Sequence, residues 1–273
     1  MSARTTLVTG ATEGLGLHAA RQLAALGHTV LVHGRTPAKV ESVVRSLDAS
    51  GGRTHAGFVA DLSSMEEVRR LGGEVAAAHP ALDGLLNNAG SFDGNYTGRR
   101  VITAEGNEYT LAVNVLAPFL LTSLLLPCLA ASPRGARCVI SSSVSMGAAD
   151  ALDDLQLERG YSAHKAYSLS KLCDAMLSQE LHARFADSTG VCFNTMDPTE
   201  EIGLGADTKM LRAGWGDWGT AAEQARISAT MMAGAEWEGV SGEGFASRRE
   251  VRNRSLRAKL WEDCVQLTGA SWP

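Results

Sequence analysis

Cysteine is sparse and unpatterned in this sequence: Cys128, Cys138, Cys173, Cys192 and Cys264 are odd in number, widely scattered and without a Cys-x-x-Cys pair. That spacing argues against a disulfide framework and against a zinc site, and for reduced thiols in a cytoplasmic setting. Positive charge is also short. Lys and Arg number 25 against 30 Asp and Glu, a formal net charge of -5, so nucleic acid is not an expected partner. The arginine-dense stretch from Arg248 to Arg257 (RREVRNRSLR) reads as a solvated surface segment, because the rest of the chain is acidic. An uninterrupted membrane span is missing too. The longest apolar stretch, Leu111 to Ala131, is broken by Asn114, Pro118 and Pro127 and fits a buried helix better than lipid. The apolar run Thr6-Leu7-Val8 starts almost at once and leaves no room for a leader ahead of it. No internal repeat or low-complexity linker divides the chain.

Hydrophobic residues make up 45% and charged residues 20%, the balance of an ordinary globular protein. Short β-branched runs alternate with longer helical patterns. Strands are expected at 5–9, 29–33, 54–59, 84–87, 136–142 and 191–196, with a weak last one near 244–247. Helices are expected at about 14–27, 37–49, 64–78, 104–130, 162–186 and 220–233. This order predicts an α/β fold, a doubly wound parallel sheet of about seven strands with helices on both faces, spanning 1–273 as one domain. Irregular insertions near 91–100, 148–160 and 197–219 each follow the carboxyl end of a strand, where such sheets bind ligands. A tail follows residue 248.

The first strand runs into Thr9-Gly10-Ala11-Thr12-Glu13-Gly14-Leu15-Gly16 and then an amphipathic helix. A glycine-rich turn there lets the backbone approach a pyrophosphate, whose charge meets the free N–H groups and positive end of the helix. The plainer alternative is a tight turn. The second strand ends in His33-Gly34-Arg35. A carboxylate at that point would grip the ribose 2'-hydroxyl of NAD, whereas Gly34 and Arg35 leave room and charge for a 2'-phosphate, so NADP is expected. Arg35 could otherwise cap a surface turn.

The stretch YSAHKAYSLSK, residues 161–171, holds two copies of Tyr-x-x-x-Lys. Tyrosine needs a positive neighbour to act as an acid or base near neutrality, and a lysine four residues on shares its helix face. The pairs Tyr161–Lys165 and Tyr167–Lys171 are offset by six residues, so they point about 120° apart and only one can face a cofactor. Tyr161 is expected in a fraying first turn after Gly160. Tyr167 sits well inside the helix, opposite a core stripe of Leu169, Leu172, Cys173, Met176 and Leu177. Of the consecutive serines Ser141, Ser142 and Ser143, strand alternation aims Ser142 away from its neighbours.

TGATEGLG, Asp61-Leu62, Asn87-Asn88-Ala89-Gly90, Asn114, Ser143 and Tyr167-x-x-Ser170-Lys171 occur in the order seen in the short-chain dehydrogenase/reductase family. The chain resembles that family from about residue 5 to 268. Its AYSLSKLC core, the run 241–245 (SGEGF) and Leu260-Trp261-Glu262 opening a tail helix resemble the retinol-dehydrogenase-like and WW-domain-oxidoreductase-like branch. The resemblance implies that Asp61 and Leu62 meet the adenine edge and that Asn88, Ala89 and Gly90 support the adenosine side. It implies that Asn114 holds a water in a proton path, the alternative being a buried amide that kinks its helix. It places the substrate hydroxyl contact at Ser143, the acid at Tyr167 and the supporting cation at Lys171. Relatives follow Pro198 with glycine and a nearby threonine for the nicotinamide carboxamide. Here the run Asp197-Pro198-Thr199-Glu200-Glu201 lacks that glycine, and Thr208 is the best match. Glu200 and Glu201 read as solvated lid residues. Trp215 and Trp218 either cover an apolar substrate or fasten the lid. The implied function is hydride transfer between NADP(H) and the carbonyl or alcohol of a small or lipophilic molecule, in a dimer or tetramer unless the tail alters the interface. A dinucleotide-binding regulator without turnover is the competing reading, raised by the altered 197–208 run. A nucleotide-sugar epimerase or dehydratase would need more chain after the sixth strand.

Overall fold

A computed structural model of the chain describes residues 3–47, 49, 52–92, 98–198 and 221–273, with 221–224 described by backbone alone. The six strands among them are β1 (Thr5–Val8), β2 (Thr29–Gly34), β3 (Ala56–Val59), β4 (Gly84–Asn87), β5 (Arg137–Ser141) and β6 (Cys192–Met196). They form one parallel sheet in the order β3-β2-β1-β4-β5-β6. The winding reverses between β1 and β4, and the crevice beyond their carboxyl ends is the ligand position of a doubly wound sheet.

Alternation along the strands divides the core in two. Leu7, Leu31, Leu85, Cys138 and Phe193 join the cluster built with α3 (Met65–Ala78), α5 (Ala117–Ala130) and α6 (Ala163–Thr189). Val8, Val30, Val32, Leu86 and Val139 join the opposite cluster, with α1 (Gly14–Ala25), α2 (Pro37–Ser46) and α7 (Ala221–Ala233). Each strand is apolar on both sides because both faces are covered.

The seventh strand expected near 244–247 does not form. Gly242 N donates to Phe193 O (2.8 Å) and Thr195 N to Glu243 O (3.0 Å), so this run lies along the outer edge of β6. Positive φ values of 84° at Gly242, 91° at Gly244 and 55° at Phe245 prevent an extended ladder. At Gly244 a Cβ would lie 2.0 Å from Thr195 O, so only glycine lets the run pass this close.

The helix expected from 104 starts later, as α4 (Tyr109–Leu111), after Gly106 turns the chain at a φ of 87°. It continues through a π-helical segment, Ala112–Leu116, into α5. Tyr109–Ala130 is long and apolar enough to cross a membrane, but 89% of its most apolar window is buried inside the fold. The tail helix begins at Arg254 rather than Leu260. α8 (Arg249–Arg252) leads into α9 (Arg254–Thr268), whose cap Asn253 accepts from Leu256 N. The arginine-dense segment is only partly solvated: Arg249, Arg252 and Arg254 are exposed, whereas Arg257 is buried and donates to Glu180 (3.0 Å) on α6. Trp261 on α9 packs against Phe119 and Trp272, and the tail thereby closes the outer side of α5 and α6.

Candidate active site

The glycine turn is fixed by its neighbours. Gly10 and Gly14 take positive φ values of 64° and 53°. Gly10 N donates to Nδ1 of buried His33 (3.3 Å), whose Nε2 faces Ala60 O at 3.2 Å. His33 is therefore the tautomer protonated on Nε2, and burial pushes its pKa down to about 4. Thr9 Oγ1 accepts from Asn88 N and Ala89 N, both at 3.0 Å, while Asn88 Nδ2 donates to Thr9 O at 2.9 Å. A Cβ on Gly16 would sit 2.4 Å from Asn88 Nδ2 and from Gly10 O. Asn88 and Ala89 thus support the turn, and Gly90 follows them on the exposed side.

No side chain caps α1, and its first turn contains no acidic residue. Its cap residue, Glu13, turns instead to Lys39. Among the described residues no side chain competes for the N–H groups of Gly14, Leu15 and Gly16 at the positive helix end, which suits a pyrophosphate. Gly34 gives Thr12 its space, since a Cβ there would lie 2.5 Å from Thr12 Cγ2. Arg35 is exposed beyond β2 and donates to Tyr109 Oη at 3.2 Å, which holds the guanidinium near the expected ribose. Asp61 accepts from Ser63 N at 2.9 Å, and its charge acts on Tyr109 alongside that of Arg35. The Leu62 side chain is buried in the core. These residues fit a nicotinamide dinucleotide laid along the carboxyl edge of the sheet.

At the carboxyl end of β5 the serines separate as alternation predicts. Ser142 Oγ donates to Lys171 O (2.7 Å), whereas Ser143 lies on the Tyr167 side, where its hydroxyl favours the phenolate and so acts to lower the pKa of that tyrosine. Tyr167 is 4% exposed and clusters with Phe92 and Ala163 instead of the core stripe of α6. Lys171 Nζ lies 5.7 Å from its ring centre and donates to Ser141 O (2.7 Å) and Asp174 Oδ2 (2.9 Å). Burial raises the Tyr167 pKa, and Lys171 and Ser143 only partly oppose it. The net direction is the reverse of the acidification expected from the lysine alone. Asn114, in the π-helical segment, accepts from Ser91 N (2.7 Å) and donates to Ser91 O and Ser170 Oγ, both 2.9 Å. Ser170 Oγ in turn donates to Tyr167 O, so Asn114 clamps the turn bearing the phenol, and a water relay is left with its remaining acceptor capacity.

The other pair is no helical pair at all. α6 begins at Ala163 behind its cap Ser162, so Tyr161 precedes the helix and is not in its first turn. Tyr161 packs on the main core, and Lys165 bonds Asp150 at 3.1 Å. Segment 148–160 is tied to its neighbours by Arg100 Nε donating to Gln156 O and Glu108 N to Gln156 Oε1. Pro198 lies just beyond β6 behind Asp197, which accepts from Val144 N. Thr208, Glu200, Glu201, Trp215 and Trp218 lie outside the described residues, as does the middle of the 91–100 insertion, residues 93–97. Sequence reasoning missed Thr9, His33, Tyr109 and Asp174. A signal existed for the last: a lone acid within the apolar run Leu172 to Leu177.

Residues 4–202 match the model of a family described as short chain dehydrogenase. Polyprenol dehydrogenase of Mus musculus is 36% identical over 288 residues, covering 98% of this chain and 84% of that protein. Retinol dehydrogenase 14 of Mus musculus is 32% identical over 295 residues, covering 98% and 87%. A crystal structure from Mycobacterium paratuberculosis aligns with a TM-score of 0.76 at 27% identity, covering 99% of this chain and 95% of that one. A short chain dehydrogenase of Shigella flexneri complexed with NADP aligns with a TM-score of 0.64 at 25% identity, covering 89% and 95%. With a parallel six-stranded sheet of the same kind and a family match over most of its length, the chain belongs to the short-chain dehydrogenase/reductase family, in its retinol-dehydrogenase-like branch, and is an oxidoreductase.

Proposed function

We propose that the protein is an NADP(H)-dependent, cytoplasmic oxidoreductase acting on the carbonyl or alcohol group of a small lipophilic molecule. The observation that carries this reading is the meeting of Ser143 and Lys171 at the buried Tyr167 phenol, on the same sheet edge as the uncapped start of α1. A bound nicotinamide would supply or accept the hydride. Tyr167 would give its phenolic proton to the oxygen of a reduced carbonyl, or take one from an alcohol. Ser143, whose hydroxyl acts on that phenol, would hold the substrate oxygen beside it. Lys171 has one N–H left after Ser141 and Asp174 and would direct it to the cofactor ribose or the phenol. Arg35 and the absence of acid at the end of β2 support NADP over NAD.

Two observations favour a lipophilic substrate. Phe92 lies 6.1 Å from the Tyr167 ring and 5.0 Å from His164, giving the site an aromatic wall. Similar proteins are named for polyprenol and retinol. The test is a panel of aldehydes, ketones and long-chain alcohols with NADP(H) and NAD(H), followed by cofactor absorbance. Turnover confined to apolar members with NADP(H) is expected. Tight NADPH binding with no turnover across the panel would favour the regulator reading instead.

A further inference from the structure

We propose that Asp174 is a positioning residue that pins Lys171 and offsets its charge, so that Tyr167 keeps its proton and the site is biased toward carbonyl reduction. The direction of reaction rests on the function proposed above; the geometry does not.

Asp174 lies three residues after Lys171 on α6 and therefore on the same helix face. Both side chains are buried, at 1% and 4% exposure, and Asp174 Oδ2 is 2.9 Å from Lys171 Nζ. Together with the bond to Ser141 O, this commits two of the three ammonium donors away from the phenol. A lone ammonium beside a buried tyrosine would pull its ionisation down. An ammonium already paired with a carboxylate presents a dipole whose field at the phenol is much weaker.

The charged and titratable groups around the pair are few among the described residues. Lys171 and Cys173 share α6 with Asp174; Cys264 faces it from α9, and Asp263 beside that thiol acts on both cysteines; Asp197 approaches the Tyr167–Lys171 end from beyond β6. Burial holds both thiols neutral. Asp174 itself is pushed up by burial, to about 6, and is therefore charged wherever a tyrosine could ionise. Removing that negative charge eases proton loss from Tyr167 and from Lys171 alike, so the sign of the effect does not depend on which group yields first.

The chain has 4 tyrosines, so Tyr167 can be isolated as the ultraviolet tyrosinate titration of the wild type minus that of Tyr167→Phe. In the wild type its midpoint should lie above the usual 10.0. In Asp174→Asn it should fall by about one pH unit or more, and in Asp174→Glu it should stay near the wild type. An unchanged midpoint in folded Asp174→Asn overturns the proposal. Should that variant fail to fold, Asp174→Ser takes its place: a lowered Tyr167 midpoint supports the proposal and an unchanged one overturns it. The titration needs no substrate, so its failure is distinct from absence of turnover, which would count against the oxidoreductase reading.

Discussion

Arg35→Ala should separate the two nicotinamide cofactors. The guanidinium is exposed, so its general electrostatic pull is screened, and what the proposed function asks of it is a directed contact to a phosphate on the adenosine ribose. Tyr109, whose fixed Oη accepts from Arg35 Nη1 at 3.2 Å, reduces the rotamer freedom that such a contact would otherwise cost. A hydrogen bond to a charged partner contributes about 1.5–3 kcal/mol, so losing it should weaken NADPH binding roughly tenfold to a hundredfold. NADH, without the phosphate, should bind the variant as it binds the wild type. Tyr109→Phe should weaken NADPH by a smaller factor through loss of positioning alone. Titrations following quenching of tryptophan fluorescence, at low and high salt, measure all four affinities. Equal losses for both cofactors, or no loss for NADPH, would refute the assignment of Arg35.

Other variants probe the supporting structure. Gly16→Ala forces a Cβ to within 2.4 Å of Asn88 Nδ2 and Gly10 O, so it should cost about 1–3 kcal/mol of stability and weaken NADPH binding, read by thermal melts with and without cofactor. Trp261→Ala removes the ring between Phe119 and Trp272 and should cost about 3–5 kcal/mol in denaturant unfolding, with little change in cofactor affinity once folded. His33 has a folded pKa near 4, below its ordinary 6.5, so the unfolded chain binds the extra proton between those values. Relative to His33→Gln, the wild type should therefore lose up to about 3 kcal/mol of stability as pH falls through that window. The raised pKa of Asp174 acts in the opposite direction over part of the same range, but it is common to both proteins and cancels from the difference.

The sheet was legible because its strands are short, apolar on both sides and separated by amphipathic helices. Leu7 and Val8, or Leu85 and Leu86, feed opposite cores, a pattern that only a sheet covered on two faces requires. Gly244 escaped the same logic: what shapes it is the close passage of Thr195, which no local pattern encodes. The choice of Tyr167 over Tyr161 followed from helical offset, and the start of α6 at Ala163 makes the contrast sharper than expected. Arg257 looked like surface because its partner, Glu180, is 77 residues away. The rise that burial imposes on the Tyr167 pKa, against the lowering that Lys171 supplies as expected, was hidden for a related reason. Lysine spacing is visible along a helix, whereas full burial of the phenol depends on Phe92 arriving from a distant part of the chain to pack beside Ala163, one turn earlier on the same helix.

The measurement that tests the central claim most directly is turnover by Tyr167→Phe with a substrate accepted by the wild type, alongside its NADPH affinity. Loss of the proton donor should lower kcat by about a hundredfold to ten-thousandfold while NADPH binding stays unchanged, since the phenyl ring keeps its contact with Phe92. Near-normal kcat in a folded, NADPH-binding Tyr167→Phe protein would contradict the account.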